Sequence, residues 1–230
     1  MEPLPIAIIG ASGYTGAELV RLLYHHPYAT LTALAAERNA GQSMAAIYPH
    51  LSPYSLPPLV KVADIAWDKI AIVFCCLPHA TSQQVIRDLP GHLKIIDLSA
   101  DFRLFDTALY AQWYGHPHQA ETLQKQAVYG LSEVYRDRIA TARLVANPGC
   151  YPTCATLPLI PLLAADAIEK DGIIIDAKSG VSGAGRTEKL PNLFCETDPL
   201  DKEHIRSLGG CPCWQRQQAA CSGRYRNNSR

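Results

Sequence analysis

The sequence predicts an α/β protein: a doubly wound parallel-sheet domain over residues 1–147, then an incomplete α+β substrate or catalytic domain over residues 148–199. Three observations carry that expectation. A short β-branched run, Ile6-Ala7-Ile8-Ile9, passes directly into a glycine turn and a helix-spaced segment. Further short apolar runs recur, separated by loops and helical stretches, as stacked βαβ units require. A later turn, Asn147-Pro148-Gly149, carries an apolar run into a cysteine at the point where a new helix should begin.

A chain of 230 residues accommodates one large domain or two modest ones. Its 21 basic residues balance its 21 acidic ones, which argues against a nucleic-acid or anionic-membrane partner. No basic segment followed by an apolar leader opens the chain, and no apolar run reaches transmembrane length, so the expected location is cytoplasmic. The eight cysteines are Cys75, Cys76, Cys150, Cys154, Cys195, Cys211, Cys213 and Cys221. A disulfide framework belongs to short secreted chains, and this pattern does not read as one.

After the first strand comes Gly10-Ala11-Ser12-Gly13-Tyr14-Thr15-Gly16, then Ala17, Leu19, Val20, Leu22 and Leu23 at helical spacing. Strand, glycine turn and helix make a Rossmann-like context. Glycines let the backbone approach a pyrophosphate, and the helix start supplies N–H donors. The spacing G-x-x-G-x-x-G departs from the commoner G-x-G-x-x-G, and an ordinary strand-to-helix turn is the competing reading. Leu31–Ala36 reads as the second strand, followed by Glu37-Arg38. The acid suits a free ribose 2′-hydroxyl and the arginine a 2′-phosphate; Arg38 tilts the reading towards NADP.

Residues 48–58 read as a proline-rich loop. Ile70–Cys76 reads as a buried strand whose two cysteines face opposite ways, leading to Leu77-Pro78-His79-Ala80, with Thr81 a candidate cap for the next helix. Leu93–Leu98 is the next strand, followed by Asp101 and Arg103. Arginine's planar fork suits an anionic substrate group, with an Asp101–Arg103 ion pair as the structural alternative. Tyr110, Trp113, Tyr114, His116 and His118 form an aromatic, histidine-bearing patch without a metal-ligand pattern. Val134–Ala142 reads as helical.

Cys150 follows the strand Leu144–Ala146, with Pro152 suited to a first helical turn and Ala155, Leu157, Leu159, Leu162 and Leu163 supplying an apolar face. A thiol at a helix start is favoured as thiolate and serves as a nucleophile; a buried structural cysteine is the alternative. Ile173–Ala177 reads as a strand, and Lys178-Ser179-Gly180 through Arg186 as a glycine–serine loop able to wrap an anion.

Together these stretches resemble the N-acetyl-γ-glutamyl-phosphate reductase family of arginine biosynthesis. The likeness is carried by GASGYTGAELVRLL from Gly10, LPHA from Leu77, DLSADFRL from Asp97, YGLSE from Tyr129, NPGCYPT from Asn147 and KSGVSGAGR from Lys178. It covers roughly residues 6 to 196. Two small departures are Ser132, where the family commonly has proline, and Ala80, where it commonly has glycine.

The resemblance implies NADPH-dependent reductive dephosphorylation of an acyl phosphate. Cys150 would attack the carbonyl and expel phosphate, and hydride would convert the thioacyl group to the semialdehyde. It implies cofactor contacts from Gly10, Ser12, Gly13, Tyr14, Thr15, Gly16, Arg38, Pro78, His79, Ser179 and Gly180. Substrate or anion contacts fall to Arg103, Asn147, Lys178 and Arg186, with no metal. It also implies a small-molecule acyl-phosphate substrate and a homo-oligomer when the full-length fold forms. The competing readings are a non-catalytic NADP-binding fragment and a related reductase of aspartyl or aminoadipyl phosphate.

The resemblance stops after about Glu196, where the family continues into an H-R-H-x-P-E stretch that carries its acid/base histidine. Without that group, general acid–base help worth about 10²–10⁴-fold is missing. Residues 200–230 are expected to be foreign to the family fold, most simply a frameshifted reading or a gene fragment. A zinc site from His204, Cys211, Cys213 and Cys221 is the alternative, though Cys-x-Cys spacing suits it poorly. Reading the coding DNA past Glu196 in all three frames is expected to recover the H-R-H-x-P-E stretch; its absence from every frame makes the tail genuine.

Overall fold

The computed structural model describes residues 2–177 and 180–186. The chain divides into two units, one ending at Asn147 and one beginning at Pro148.

The first unit runs β1 (Leu4–Ile9), α1 (Tyr14–Tyr24), β2 (Ala29–Ala35), α2 (Met44–Ile47), β3 (Leu59–Val60), β4 (Ile72–Cys75) and α3 (Ser82–Asp88). It continues through β5 (Lys94–Asp97), α4 (Thr107–Tyr114), α5 (Glu121–Gln126), β6 (Val128–Tyr129), α6 (Ser132–Thr141) and β7 (Leu144–Ala146). The strands form one sheet in the order β3-β2-β1-β4-β5-β7-β6, and every neighbouring pair is parallel.

The continuous apolar character of β1 is explained by burial on both faces. Ile6 and Ile8 pack into one core with Val20 of α1 and Leu34 of β2, while Ala7 and Ile9 pack into the other with Val73, Ile86 and Ile95. A parallel sheet covered on both sides selects such runs. Cys75 joins the second core and Cys76 packs against the first, so the two thiols face opposite ways and act as small apolar groups. The loop expected over 48–58 is partly structural: Tyr48 and Leu51 are buried under the edge where β3 completes the sheet.

Strand order reverses between β1 and β4, which places their loops side by side at the carboxyl edge. A doubly wound sheet receives its ligand at that switch point.

In the second unit, α7 spans Cys150–Ala164 with Gly149 as N-cap, Pro152 in its first turn and Pro158 and Pro161 inside it. The strand expected over Ile173–Ala177 is not formed. The segment has no regular structure and Ile174 is 92% exposed. An apolar β-branched run becomes a strand only where a neighbour takes up its N–H and C=O groups, and no described strand pairs with this one.

Ala80, in the β4–α3 connection, has φ +69°, in the left-handed region that costs a non-glycine residue about 1–2 kcal/mol. Glycine returns about 0.4–1 kcal/mol of that through the freer unfolded chain. Ala80→Gly is therefore expected to stabilise the protein by about 1 kcal/mol, read as a rise in Tm of roughly 2–4 °C.

Candidate active site

The glycine turn after β1 is shaped by close backbone approach. Gly10 has φ +80°, and a Cβ there would lie 2.3 Å from the carbonyl oxygen of Cys76; a Cβ on Gly16 would lie 2.5 Å from the Gly10 oxygen. Gly13 meets no such obstacle, its added Cβ lying 3.5 Å from the Gly10 oxygen. It serves as N-cap of α1, with no side-chain hydrogen bond capping the helix. The first-turn N–H groups of a helix lack intrahelical acceptors, and here they open above a turn pared to backbone. Tyr14 and Thr15 are exposed at this mouth, and the Tyr48 hydroxyl donates to the Ser12 carbonyl (3.0 Å), anchoring the turn. This cradle fits a dinucleotide's pyrophosphate.

At the end of β2 the sequence offered Glu37 and Arg38 and favoured the arginine. In the structure Glu37 Oε1 accepts from the backbone N–H of Val62 (3.0 Å), which commits the acid to bracing the β3 edge. Arg38 is exposed in the turn that follows.

The centre of the carboxyl edge is a buried polar network that the sequence reading passed over. Asp101 has no exposed surface, and its carboxylate accepts from the N–H groups of Ala80 (2.9 Å) and Ser82 (3.2 Å), from Ser82 Oγ (2.8 Å) and from the Tyr110 hydroxyl (3.2 Å). His79 Nδ1 lies 2.7 Å from Asp101 Oδ1. Asp101 thus caps the start of α3. Thr81, expected in that role, makes no capping bond and turns its hydroxyl to the Pro78 carbonyl (2.7 Å). A carboxylate from across the sheet reaches two N–H groups at once, which outcompetes a local hydroxyl.

Burial alone would push the Asp101 carboxyl up, but the bonds from His79, Ala80 and Ser82 outweigh it and hold it down at about 2. Asp97, also fully buried, is pushed up to about 6, chiefly by burial. Proton counting agrees. Asp97 Oδ2 to Ser99 Oγ is 2.7 Å, Ser99 Oγ to Ser82 Oγ is 2.7 Å, and Ser82 Oγ to Asp101 Oδ2 is 2.8 Å. Two hydroxyl protons cannot fill three short contacts, whereas a neutral Asp97 supplies the third. Below about pH 6 the network therefore carries its negative charge on Asp101.

Around it, Gln83 Nε2 donates to the Tyr110 hydroxyl (2.7 Å), and burial together with the Asp101 charge pushes that phenol up. His118 Nδ1 accepts from Ala120 N–H (3.1 Å), so its Nε2–H donates to the Asp101 carbonyl (3.0 Å); burial lowers this imidazole. The aromatic patch is thus a wall of this network: His79 lies 4.2 Å, centroid to centroid, from Tyr114, and 5.4 Å from His116.

Arg103 does not pair with Asp101. Its Nε donates to the Asn147 carbonyl (2.7 Å) and its Nη2 to the Leu98 carbonyl (2.8 Å), tying together the loops that follow β5 and β7. Pro78 and His79 follow β4, so the first unit brings all its expected site residues except the more peripheral Arg38 to the central strands' carboxyl ends.

In the second unit, Cys150 is the first residue of α7 and its thiol is exposed. Gly180 precedes a short 3-10 turn, Val181–Ala184, and Arg186 is exposed just past it. Lys178 and Ser179, together with everything expected of residues 187–230, lie outside the described residues. Among the described residues no cluster of three or more metal-ligating side chains occurs, and no helix is long and apolar enough to cross a membrane.

The signal for the missed network was present as Asp97-x-Ser99-x-Asp101. Polar groups alternate there at the end of an apolar strand, and buried carboxylates of that kind demand donors.

The sheet order, the glycine cradle at its switch point and the arginine beyond β2 define a dinucleotide-binding α/β protein, and a cysteine opens the helix of its second unit. Residues 5–142 match the family model described as semialdehyde dehydrogenase, NAD binding domain, and residues 150–202 match semialdehyde dehydrogenase, dimerisation domain. The chain belongs to the semialdehyde dehydrogenase family. It is 59% identical over 195 residues to a probable N-acetyl-gamma-glutamyl-phosphate reductase, chloroplastic, of Arabidopsis thaliana, covering 85% of this chain and 49% of that one. It is 60% identical over 200 residues to the N-acetyl-gamma-glutamyl-phosphate reductase of Rhodospirillum rubrum, covering 85% and 57%. The chain thus spans about half the length of these curated relatives. The aspartate semialdehyde dehydrogenase II of Vibrio cholerae shares the fold, with TM-score 0.54 and 19% identity over 80% of this chain and 49% of that one.

The two buried carboxyls give opposite pH slopes. Asp97, raised in the fold, contributes stability below about pH 4 that is lost as pH rises to about 6. Asp101, lowered, contributes stability above about pH 4 that is lost as pH falls towards about 2. Asp97→Asn is expected to gain stability relative to the parent between pH 4 and 6, checked by thermal denaturation across that range. A pH-independent difference would show that Asp97 is not the titrating group.

Proposed function

We propose that the chain carries the nucleotide-binding and thiol-bearing parts of an NADP-dependent N-acetyl-glutamyl 5-phosphate reductase. Residues 1–147 hold the nucleotide, and the chemistry begins in the unit that follows. The observation that carries this reading is the exposed Cys150 as first residue of a 15-residue helix, in a chain whose first unit is a semialdehyde dehydrogenase nucleotide-binding domain. The names of the relatives support the substrate. NADP over NAD is favoured because Glu37 is spent on Val62 N–H, while Arg38 remains exposed to meet a 2′-phosphate.

Sγ of Cys150 attacks the acyl carbonyl carbon, the bond to the phosphate oxygen breaks, and the acyl group is held as a thioester. N–H groups in the first turn of α7 lie outside the intrahelical ladder and suit the oxygen that gains charge in that step. When bound, NADPH supplies the hydride that takes the acyl group to the aldehyde level. Arg186 and Lys178 are cationic candidates for the phosphate or carboxylate groups. Assembly with further copies of the chain is part of the same reading, supported by the dimerisation-domain match. The cytoplasmic location is likewise proposed; the Arabidopsis relative is named as chloroplastic.

The direct experiment measures phosphate-dependent reduction of NADP⁺ with N-acetyl-glutamate semialdehyde. Cys150→Ser is expected to lower the rate by more than about 10³-fold while leaving NADP⁺ affinity unchanged. Iodoacetamide should label Cys150 ahead of Cys75 and Cys76, which are less exposed and whose thiols burial pushes up, Cys76 to about 12. Nucleotide binding without turnover would reduce the chain to a non-catalytic binding fragment. Turnover with aspartate semialdehyde alone would move the substrate to a related reductase.

A further inference from the structure

We propose that Asp101 is a positioning residue for His79: it fixes the imidazole with its proton on Nδ1, so that Nε2 accepts a hydrogen bond from a donor group of the bound nicotinamide nucleotide. The inference deepens the proposed function and rests on the nucleotide-binding reading of the first unit.

Four observations converge on it. His79 follows β4, one of the two strands that flank the switch point, and the glycine cradle follows the other. The two loops are in contact range there, since Cys76 N–H donates to Ile9 carbonyl (2.8 Å) and a Cβ on Gly10 would collide with Cys76 oxygen. His79 Nδ1 lies 2.7 Å from Asp101 Oδ1, and the side chain is 34% exposed while Asp101 is fully enclosed. The ring is held against Tyr114, with His116 and Tyr110 at 5.4 and 6.0 Å between centroids.

The tautomer follows from the network's charge. Asp101 is held ionised by the donors its oxygens already accept from, the Ala80 and Ser82 N–H groups and the Ser82 and Tyr110 hydroxyls. An ionised carboxylate has no proton to give, so the short contact to Nδ1 is filled only by an Nδ1–H. In the neutral ring the second nitrogen is then an acceptor. Ring geometry directs Nε2 away from the enclosed carboxylate, and no described residue hydrogen-bonds it.

A dinucleotide presents ribose hydroxyls and a carboxamide NH₂ along this edge, and either donor chemistry suits the nitrogen. The same logic orients the histidine of an acid–histidine pair in hydrolases, where replacing the acid by its amide leaves the geometry but permits the wrong tautomer. Arg103 donates to the Asn147 and Leu98 carbonyls.

The experiment uses the whole 230-residue chain labelled with ¹⁵N-histidine, above the ordinary imidazole titration range, with the His79 signals assigned through His79→Gln. NADP⁺ affinity is measured first by calorimetry. No binding by the parent overturns the nucleotide reading and this inference with it. Given binding, the expected spectrum shows a protonated Nδ1 and a bare Nε2, and Nε2 alone shifts on adding NADP⁺. A protonated Nε2, or one indifferent to NADP⁺, overturns the inference while leaving nucleotide binding intact.

A double-mutant cycle separates positioning from mere support. Asp101→Asn is expected to weaken NADP⁺ binding about 3–10-fold, the loss of one well-aligned hydrogen bond. In the His79→Gln background, whose amide oxygen needs no tautomer control, the same change should cost nothing further. An equal loss in both backgrounds makes Asp101 purely structural. Should Asp101→Asn not fold, the spectrum of the parent chain decides alone.

Discussion

An enclosed carboxylate that must remain charged is the constraint on which the carboxyl edge of this sheet depends. Asp101 has no exposed surface, and an unpaired charge in that position would be prohibitively costly. Its cost is met by drawing five donors from three places. Ala80 and Ser82 bring the start of α3, Tyr110 brings α4, and His79 brings the end of β4. Each loop that borders the switch point on the β4 side is therefore pinned to one group. Asp97, pushed up to about 6 by burial, is linked to it through the Ser99 and Ser82 hydroxyls.

The glycine turn solves a different problem with the opposite chemistry. Gly10 lets β1 and β4 run side by side to their ends, and Gly16 lets α1 begin directly over the turn. Nothing polar is required at these positions because what they leave open is backbone. Backbone N–H donors border the switch point on the β1 side, and the His79 imidazole, held by Asp101, borders it on the β4 side. The second unit contributes a different element, an exposed thiol at the first position of a helix.

The strand–glycine–helix start was legible because much of its information is local, although the obstacle facing Gly10 is the distant Cys76 carbonyl. Gly10 and Gly16 are demanded by contacts within a few residues of their own turn or by the neighbouring strand. The β-branched run before them admits few conformations. The same local reading failed at Ile173–Ala177, where a strand-like composition met no partner, and at Thr81, where a long-range carboxylate displaced the expected cap. At Glu37 and Arg38 it leaned to the arginine, and only the position of Val62 N–H shows that the acid is already engaged. At Ala80 the sequence noted an alanine in place of a glycine, and φ +69° shows what the glycine would relieve.

By itself the sequence determined the class of fold, the place of the nucleotide turn and the candidacy of Cys150, because strand periodicity, glycine sterics and helix-start chemistry act over a few residues. Only the tertiary structure decided which charges are sheltered, which hydrogen bonds orient His79 and what Arg103 holds. Those outcomes depend on groups far apart in the chain, 21 positions for Ala80 with Asp101 and 44 for Arg103 with Asn147. The energy of a buried charge is set by the donors that packing brings to it, and no local pattern specifies them.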